Sequence, residues 1–273
     1  MNPIEVQGLQ KHFGKVHVLR GLDFNVPAGE GAILLGANGC GKSTLMRCLI
    51  GLTRPDAGQI RMVETDVRQA GRREMKQMRR RVGMVFQRFN LVGNCSVLQN
   101  VLYGALGRHR LGILRVAQPL APAEERDRAM HCLDRVGLAD RAGQRADTLS
   151  GGQQQRVAIA RMLMQGPEVV LADEPIASLD PRAGREVMDL LWEVIREEGM
   201  TVICTLHQLD VALAYGDRVI GMKAGRVELD GPASGFSADE LETLYHGEVR
   251  VDGQPGESGG SGTPQREPIA VAS

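Results

Sequence analysis

AILLGANGCGKSTLMRCLIGL, residues 32–52, decides the architecture. Its first four residues form an unbroken apolar run, as a short strand covered on both faces does; a half-buried strand would alternate. Residues 36–43, GANGCGKS, fit the pattern G-x-x-x-x-G-K-[ST] position by position, and a helical pattern opens at Lys42. Strand, glycine-led loop and helix in that order make a cradle for phosphate. The glycines leave backbone N–H groups uncovered, and the helix N-terminus adds the positive end of its dipole. The expected contacts are a nucleotide's β-phosphate on the loop of Gly36, Asn38, Gly39 and Gly41, and its β- and γ-oxygens on Lys42. Ser43 is expected on Mg2+ and Thr44 on the α-phosphate.

Three more apolar runs end in a polar residue: VGMVF (82–86) before Gln87, VVLA (169–172) before Asp173 and Glu174, and TVICTL (201–206) before His207. As parallel strands of one sheet they would present these residues on one edge beside the phosphate loop, where open α/β sheets bind ligands. The spacing predicts an α/β fold with a P-loop NTPase (RecA-like) core. Asp173 is expected to hold Mg2+ through water, and Glu174 to act as general base on the attacking water. Adjacent residues of a strand point in opposite directions, so two neighbouring carboxylates can do different work. Residues 181–198 read as a helix with Asp180 as N-cap, Pro181 in its first turn and Gly199 as its stop. Residues 2–34 alternate apolar and polar in runs broken by Gly14, Pro27 and Gly29, the pattern of an antiparallel edge sheet.

A second helix start suited to an anion lies in TLSGGQQQRVAIARMLM, residues 148–164. Ser150 reads as N-cap and Gln153 closes a capping box, while Gly151 and Gly152 keep the first N–H groups uncovered. No strand pattern lies between Gln87 and Ser150; residues 97–106 and 123–138 are helical in period. The expected division is therefore an α/β core of residues 1–87 and 167–249, with its N-terminal antiparallel part, and an inserted helical subdomain of residues 88–166. Residues 250–273, rich in Gly, Pro and Ser, are expected to be disordered. Residues 71–81 carry six basic residues, but Met75, Met78 and Val82 trace an apolar face, so the segment reads as a solvated amphipathic helix. Phe13 is either a face for adenine or an ordinary core aromatic.

Lys plus Arg and Asp plus Glu number 33 each, so no overall charge draws the chain toward nucleic acid or anionic lipid. The five cysteines are odd in number and lack C-x-x-C spacing, which argues against a disulfide framework or a zinc site and for a reducing compartment. The N-terminus has no leader pattern, and no apolar run approaches the roughly 18 residues of a membrane helix, so a soluble cytoplasmic chain is expected. A GTPase would need a guanine-reading N-K-x-D, which is absent.

In this order GANGCGKST, Gln87, LSGGQ, VVLADE, SLD and His207 resemble the motifs of the ATP-binding subunits of ABC transporters, over about residues 3–246. The resemblance implies Walker A and Walker B motifs, a Q-loop glutamine at Gln87, a signature helix at Ser150–Gln153, a D-loop ending at Asp180 and a switch histidine at His207. It implies that Gln87 and His207 join Glu174 in catalysis, that Gln87 joins Ser43 and Asp173 on Mg2+, and that Phe13 and Asp180 join the nucleotide site. Two copies would face head to tail, each ATP lying between one copy's Walker A and the other's signature helix. The same resemblance implies transmembrane permease subunits, an external substrate-binding protein and a place on the cytoplasmic face of the membrane, with no nucleic-acid partner. ADEPIASLDP (172–181), FNLVGNCSVLQNVLYGALGR (89–108) and TLHQLDVALAYGDRVIGM (205–222) are similar to the ATPases of phosphonate importers. Asn94, Cys95 and Cys40 depart from that pattern, and another oxyanion such as phosphite or a phosphate ester is the alternative substrate. A soluble ABC ATPase of repair or translation is the rival, but this chain has neither inserted coiled coils nor a second ATPase unit.

Overall fold

The computed structural model describes residues 2–108 and 120–245. It begins with two long strands, β1 (Ile4–Phe13) and β2 (Val16–Val26), paired antiparallel. Their alternating apolar residues, among them Ile4, Val6, Leu22 and Phe24, turn inward and are buried. A buried strand, β3 (Gly31–Leu35), then leads through the glycine loop into a helix, α1 (Lys42–Leu49). Two strands not expected from the sequence follow, β4 (Ala57–Met62) and β5 (Thr65–Asp66). They complete a four-stranded antiparallel sheet in the order β2-β1-β4-β5.

The remaining strands are β6 (Val82–Phe86), β7 (Val169–Asp173), β8 (Thr201–Thr205), β9 (Arg218–Lys223) and β10 (Arg226–Pro232). With β3 they form a six-stranded sheet ordered β10-β9-β3-β8-β7-β6. Its internal pairings are parallel except for β10 against β9. The carboxyl ends of β3, β6, β7 and β8 therefore share one edge.

This sheet separates two cores. Ile33, Val85, Val170, Ala172, Val202 and Cys204 point to one face and join the helices there. Ala32, Leu34, Val169, Leu171 and Ile203 point to the other and meet α1 and the antiparallel sheet. Both faces are covered, and burial removes the need for alternation, which is why these strands read as continuous apolar runs.

On the first face lie α3 (Val97–Leu102), α4 (Ala123–Arg135), α5 (Gly151–Gln165) and α6 (Pro181–Glu197). The first three share the sheet's own hydrophobic cluster, so the helical segment packs as a layer on the strands. The helix expected over 97–106 tightens into a 3-10 turn at Tyr103–Gly107. There the backbone of Gly104 presses on α5: a Cβ at this position would sit 2.2 Å from the Arg161 carbonyl oxygen. On the other side of the sheet α2 (Arg72–Arg81) buries Met78 and leaves Arg72, Arg73, Lys76 and Arg79 exposed, with Arg80 and Arg81 half-buried. No helix among the described residues is long and apolar enough to cross a membrane. The expected tail at 250–273, and residues 246–249 of the expected core, lie outside the described residues.

Candidate active site

The phosphate loop is shaped by its packing. Gly36 has φ of +146°, and a Cβ there would lie 2.2 Å from the Met222 carbonyl oxygen on β9. Only glycine lets the loop leave β3 so close to the neighbouring strand. Asn38 and Gly39 are exposed at the loop's crest, Gly41 caps α1 with a left-handed backbone, Ser43 is exposed and Thr44 is half-buried.

Lys42 is 5% exposed, and its ammonium donates to the Gly36 carbonyl at 2.7 Å and the Ala37 carbonyl at 3.3 Å. Among the described residues it has no ion pair. A buried cation held only by carbonyl dipoles retains most of its need for an anion, and the loop N–H groups beside it suit the oxygens of a polyphosphate. Cys40 is buried in the same loop, where burial pushes its thiol above the usual range.

At the edge beside the loop, β7 ends at Asp173 and Glu174 follows outside the strand, so the expected strand alternation does not set the directions of the two carboxylates. Burial raises the Asp173 carboxyl above the usual carboxylate range, opposed by a hydrogen bond from Thr205; the Glu174 charge adds to the rise, and the Lys42 and Arg47 charges oppose it. Thr205 Oγ1 donates to Asp173 Oδ1 at 2.9 Å, and the Glu174 N–H donates to Thr205 Oγ1 at 2.8 Å. Glu174 has φ of +49°, an uncommon conformation for a residue with a side chain. Its Oε1 is hydrogen-bonded to His207 Nε2. With a carboxylate as acceptor, Nε2 carries the proton. The structure thus brings Lys42, Asp173, Glu174 and His207 together on one edge.

Gln87, just past β6, is exposed, and its carbonyl accepts from Ser178 Oγ at 3.2 Å. The segment after it is held by Arg161 of α5, whose guanidinium donates to the carbonyls of Asn90 at 2.7 Å and Phe89 at 3.0 Å. Phe13 is 51% exposed at the tip of the β1–β2 hairpin, with the Lys11 ammonium 5.3 Å from its ring centroid. It is therefore not a core aromatic. The neighbouring part of β2 abuts the loop, since a Cβ at Gly41 would lie 3.3 Å from the Val18 carbonyl oxygen.

The second helix start is formed as the sequence implies but stands apart. Gln153 N–H donates to Ser150 Oγ at 3.4 Å, and Ser150 N–H to Gln153 Oε1 at 3.1 Å, which closes the capping box. Gly151 and Gly152 face Leu179, Phe89 and Ala183. None of these contacts reaches residues 36–44. Asp180 accepts from the Ala183 N–H at 3.0 Å as N-cap of α6. One chain thus holds two separate glycine-led helix starts.

Comparison with known proteins gives the family. Residues 19–177 match the model of the ABC transporter family. The chain belongs to that family. This ABC ATPase uses ATP, and its fold is that of the solved cassettes. It is 50% identical over 252 residues to the phosphate-import ATP-binding protein PhnC of Mycolicibacterium smegmatis, covering 90% of this chain and 95% of the relative. It is 49% identical over 246 residues to the phosphonates import ATP-binding protein PhnC of Frankia casuarinae, covering 90% and 96%. Among solved structures, CbiO1 of Clostridium perfringens, part of the ABC transporter complex cbiONQ, superposes with a TM-score of 0.77 at 34% identity over 89% of this chain and 93% of that one. The cassette MJ0796, dimeric and bound to ADP and Pi, superposes with a TM-score of 0.71 at 33% identity, over 85% of this ABC ATPase and all (100%) of that chain.

Sequence reasoning missed Thr205, Ser178 and Arg161. Ser178 and Arg161 lay inside motifs already read for other residues. Thr205 stood within an apolar run, TVICTL, where one hydroxyl in a buried strand end was its only signal.

Proposed function

We propose that this ABC ATPase drives the import of phosphonates, hydrolysing ATP at a site completed by a second copy. The observation that carries the reading is identity of about half over nine-tenths of the chain with ATP-binding subunits of phosphonate importers. In the proposed mechanism Glu174 takes the proton of the attacking water, His207 orients the Glu174 carboxylate through Nε2, and Lys42 neutralises β- and γ-oxygens. Ser43, Asp173 and Gln87 offer only oxygen donors, the chemistry Mg2+ prefers. When bound, Mg2+ supplies charge neutralisation at the β- and γ-phosphates. Phe13 offers its exposed face to adenine. Ser150, Gly151, Gly152 and Gln153 serve the nucleotide held by the partner copy, with Asp180 at the same junction. The dimeric form of MJ0796 supports that arrangement.

The permease is assigned to a groove of about 630 Å³ whose walls include Arg72, Arg80, Arg108, Leu52 and Leu106. Leu52 is 64% exposed there, and the basic walls suit an acidic, apolar-tipped cytoplasmic loop of a membrane subunit. Arg161 lines the groove and grips the segment after Gln87, so an occupant can bear on the catalytic edge. In this reading the ATPase sits on the cytoplasmic face of the membrane.

Phosphate is the second reading, favoured by the name of the M. smegmatis relative. The test reconstitutes the chain with its permease and binding protein in vesicles and measures ATP hydrolysis with methylphosphonate, inorganic phosphate or phosphite outside. Stimulation by methylphosphonate above the others is expected; stimulation by phosphate alone replaces the reading with the second.

Lys42→Ala should lower ATP affinity at least ~10-fold and abolish measurable turnover, since a charge-assisted hydrogen bond is worth about 1.5–3 kcal/mol and the loop has no other fixed cation. Binding of a fluorescent ATP analogue with unaltered affinity would remove Lys42 from that role.

A further inference from the structure

Thr205 is the last residue of β8 and is fully buried (0% exposed). In the parallel pairing of β7 with β8 it lies opposite Asp173. A threonine hydroxyl has one proton to donate and lone pairs to accept with. Here the proton goes to Asp173 Oδ1 at 2.9 Å, and a lone pair receives the Glu174 N–H at 2.8 Å. One hydroxyl therefore holds both acidic residues of the site, one by its carboxylate and the other by its backbone.

We infer that Thr205 is a positioning residue for ATP hydrolysis, setting the Asp173 carboxylate and the backbone of Glu174 through a single buried hydroxyl. The inference rests on the roles proposed above for Asp173 and Glu174. Two features make the hydroxyl specific. It occupies Oδ1 of Asp173, which restrains the rotation of the carboxylate and leaves Oδ2 outside that bond. It also holds the N–H of Glu174, whose φ of +49° is a conformation that side-chain-bearing residues keep only when their surroundings impose it. From that conformation the Glu174 side chain reaches His207 Nε2. The hydroxyl's partners are complementary in sign, so its proton cannot point elsewhere without leaving Asp173 unpaired and confronting the Glu174 N–H with a second donor.

Valine has threonine's shape without the hydroxyl, and serine keeps the hydroxyl without the methyl. The experiment compares full-length Thr205→Val and Thr205→Ser with the unaltered chain, measuring kcat, KM for ATP and half-saturation by Mg2+, the last by Mg2+-dependent equilibrium binding of a fluorescent ATP analogue. Removing an outer hydrogen-bond partner of a metal ligand typically costs 10–100-fold in metal affinity or activity. Thr205→Val should therefore lower kcat by ~10–10²-fold and raise the Mg2+ half-saturation ~10-fold, with KM for ATP within about 3-fold. Thr205→Ser should stay within about 3-fold in all three.

Unaltered kcat and Mg2+ dependence in Thr205→Val overturn the inference, and so does an equal loss in both variants, which would make the methyl packing responsible. If Thr205→Val does not fold, Thr205→Ser decides alone: a folded serine variant with under a tenth of the turnover overturns it. Glu174→Gln and Asp173→Asn are measured in parallel. Undiminished turnover in both removes the carboxylate roles and the inference together, whereas a loss there with none in Thr205→Val removes only the inference.

Discussion

Glu174→Gln protein is expected to hydrolyse ATP at least ~10²-fold more slowly than the unaltered chain while binding the nucleotide as well, because general-base catalysis contributes roughly 10²–10⁴-fold. The substitution keeps the length of the side chain and its capacity to accept a hydrogen bond from His207 Nε2. It removes the one property the mechanism needs, the ability to take a proton from water. Asp173 is not expected to replace it, since its Oδ1 is occupied by Thr205 and the proposed mechanism commits the carboxylate to Mg2+. His207 cannot replace it while Nε2 carries a proton toward the carboxylate, and with glutamine in place the amide oxygen offers that N–H the same acceptor. Single-turnover hydrolysis of radiolabelled ATP, alongside equilibrium binding of the same nucleotide, separates chemistry from affinity. Turnover near that of the unaltered chain would show that the base is elsewhere. Loss of ATP affinity in step with turnover would show that Glu174 works in binding.

Strand by strand, the sequence was most readable where burial on both faces removed any ambiguity of period. β3, β6, β7 and β8 are continuous apolar runs ending in the residues of the site, so the strand pattern and the site were read in one step. The caps were equally local: Ser150 with Gln153, and Asp180 with Pro181, sit where a few residues of spacing put them. β9 was not read because its strand character is imposed from a distance. Gly221 interrupts it, and a Cβ there would lie 2.7 Å from Leu244, far along the chain. β4 has two buried apolar residues, Ile60 and Met62, and exists because β1 and β5 flank it. Phe13 could not be placed by pattern, since exposure and burial of a lone aromatic look alike in sequence. Thr205 shows the limit most clearly: its partners are 32 and 31 residues away, and no local spacing connects them.

Glu174→Gln protein should also run as a dimer with ATP and as a monomer with ADP in sizing experiments, and adding Ser150→Arg should abolish that dimer. The reason is the divided site. The first N–H groups of α5 seek negative charge, and among the described residues the capping bonds of Ser150 and Gln153 and the neighbours of Gly151 and Gly152 lie away from the loop that carries Lys42. The γ-phosphate bound at the other copy's Lys42 supplies that charge in the proposed dimer, so two such contacts form by symmetry. Hydrolysis removes the γ-phosphate and with it the reason for the two copies to stay together, and a membrane subunit seated on both would feel closure with ATP and release with ADP. An arginine at position 150 puts a bulky cation where the anion must arrive. It also removes the N-cap, which costs about 1 kcal/mol, so Ser150→Ala serves as the control for capping alone. The alanine form should weaken the dimer modestly and the arginine form should leave no dimer at all, while both bind ATP as monomers with unaltered affinity because Lys42 and its loop are untouched. A dimer of Glu174→Gln that forms equally well without nucleotide would overturn the shared site, as would an ATP-dependent dimer that survives Ser150→Arg.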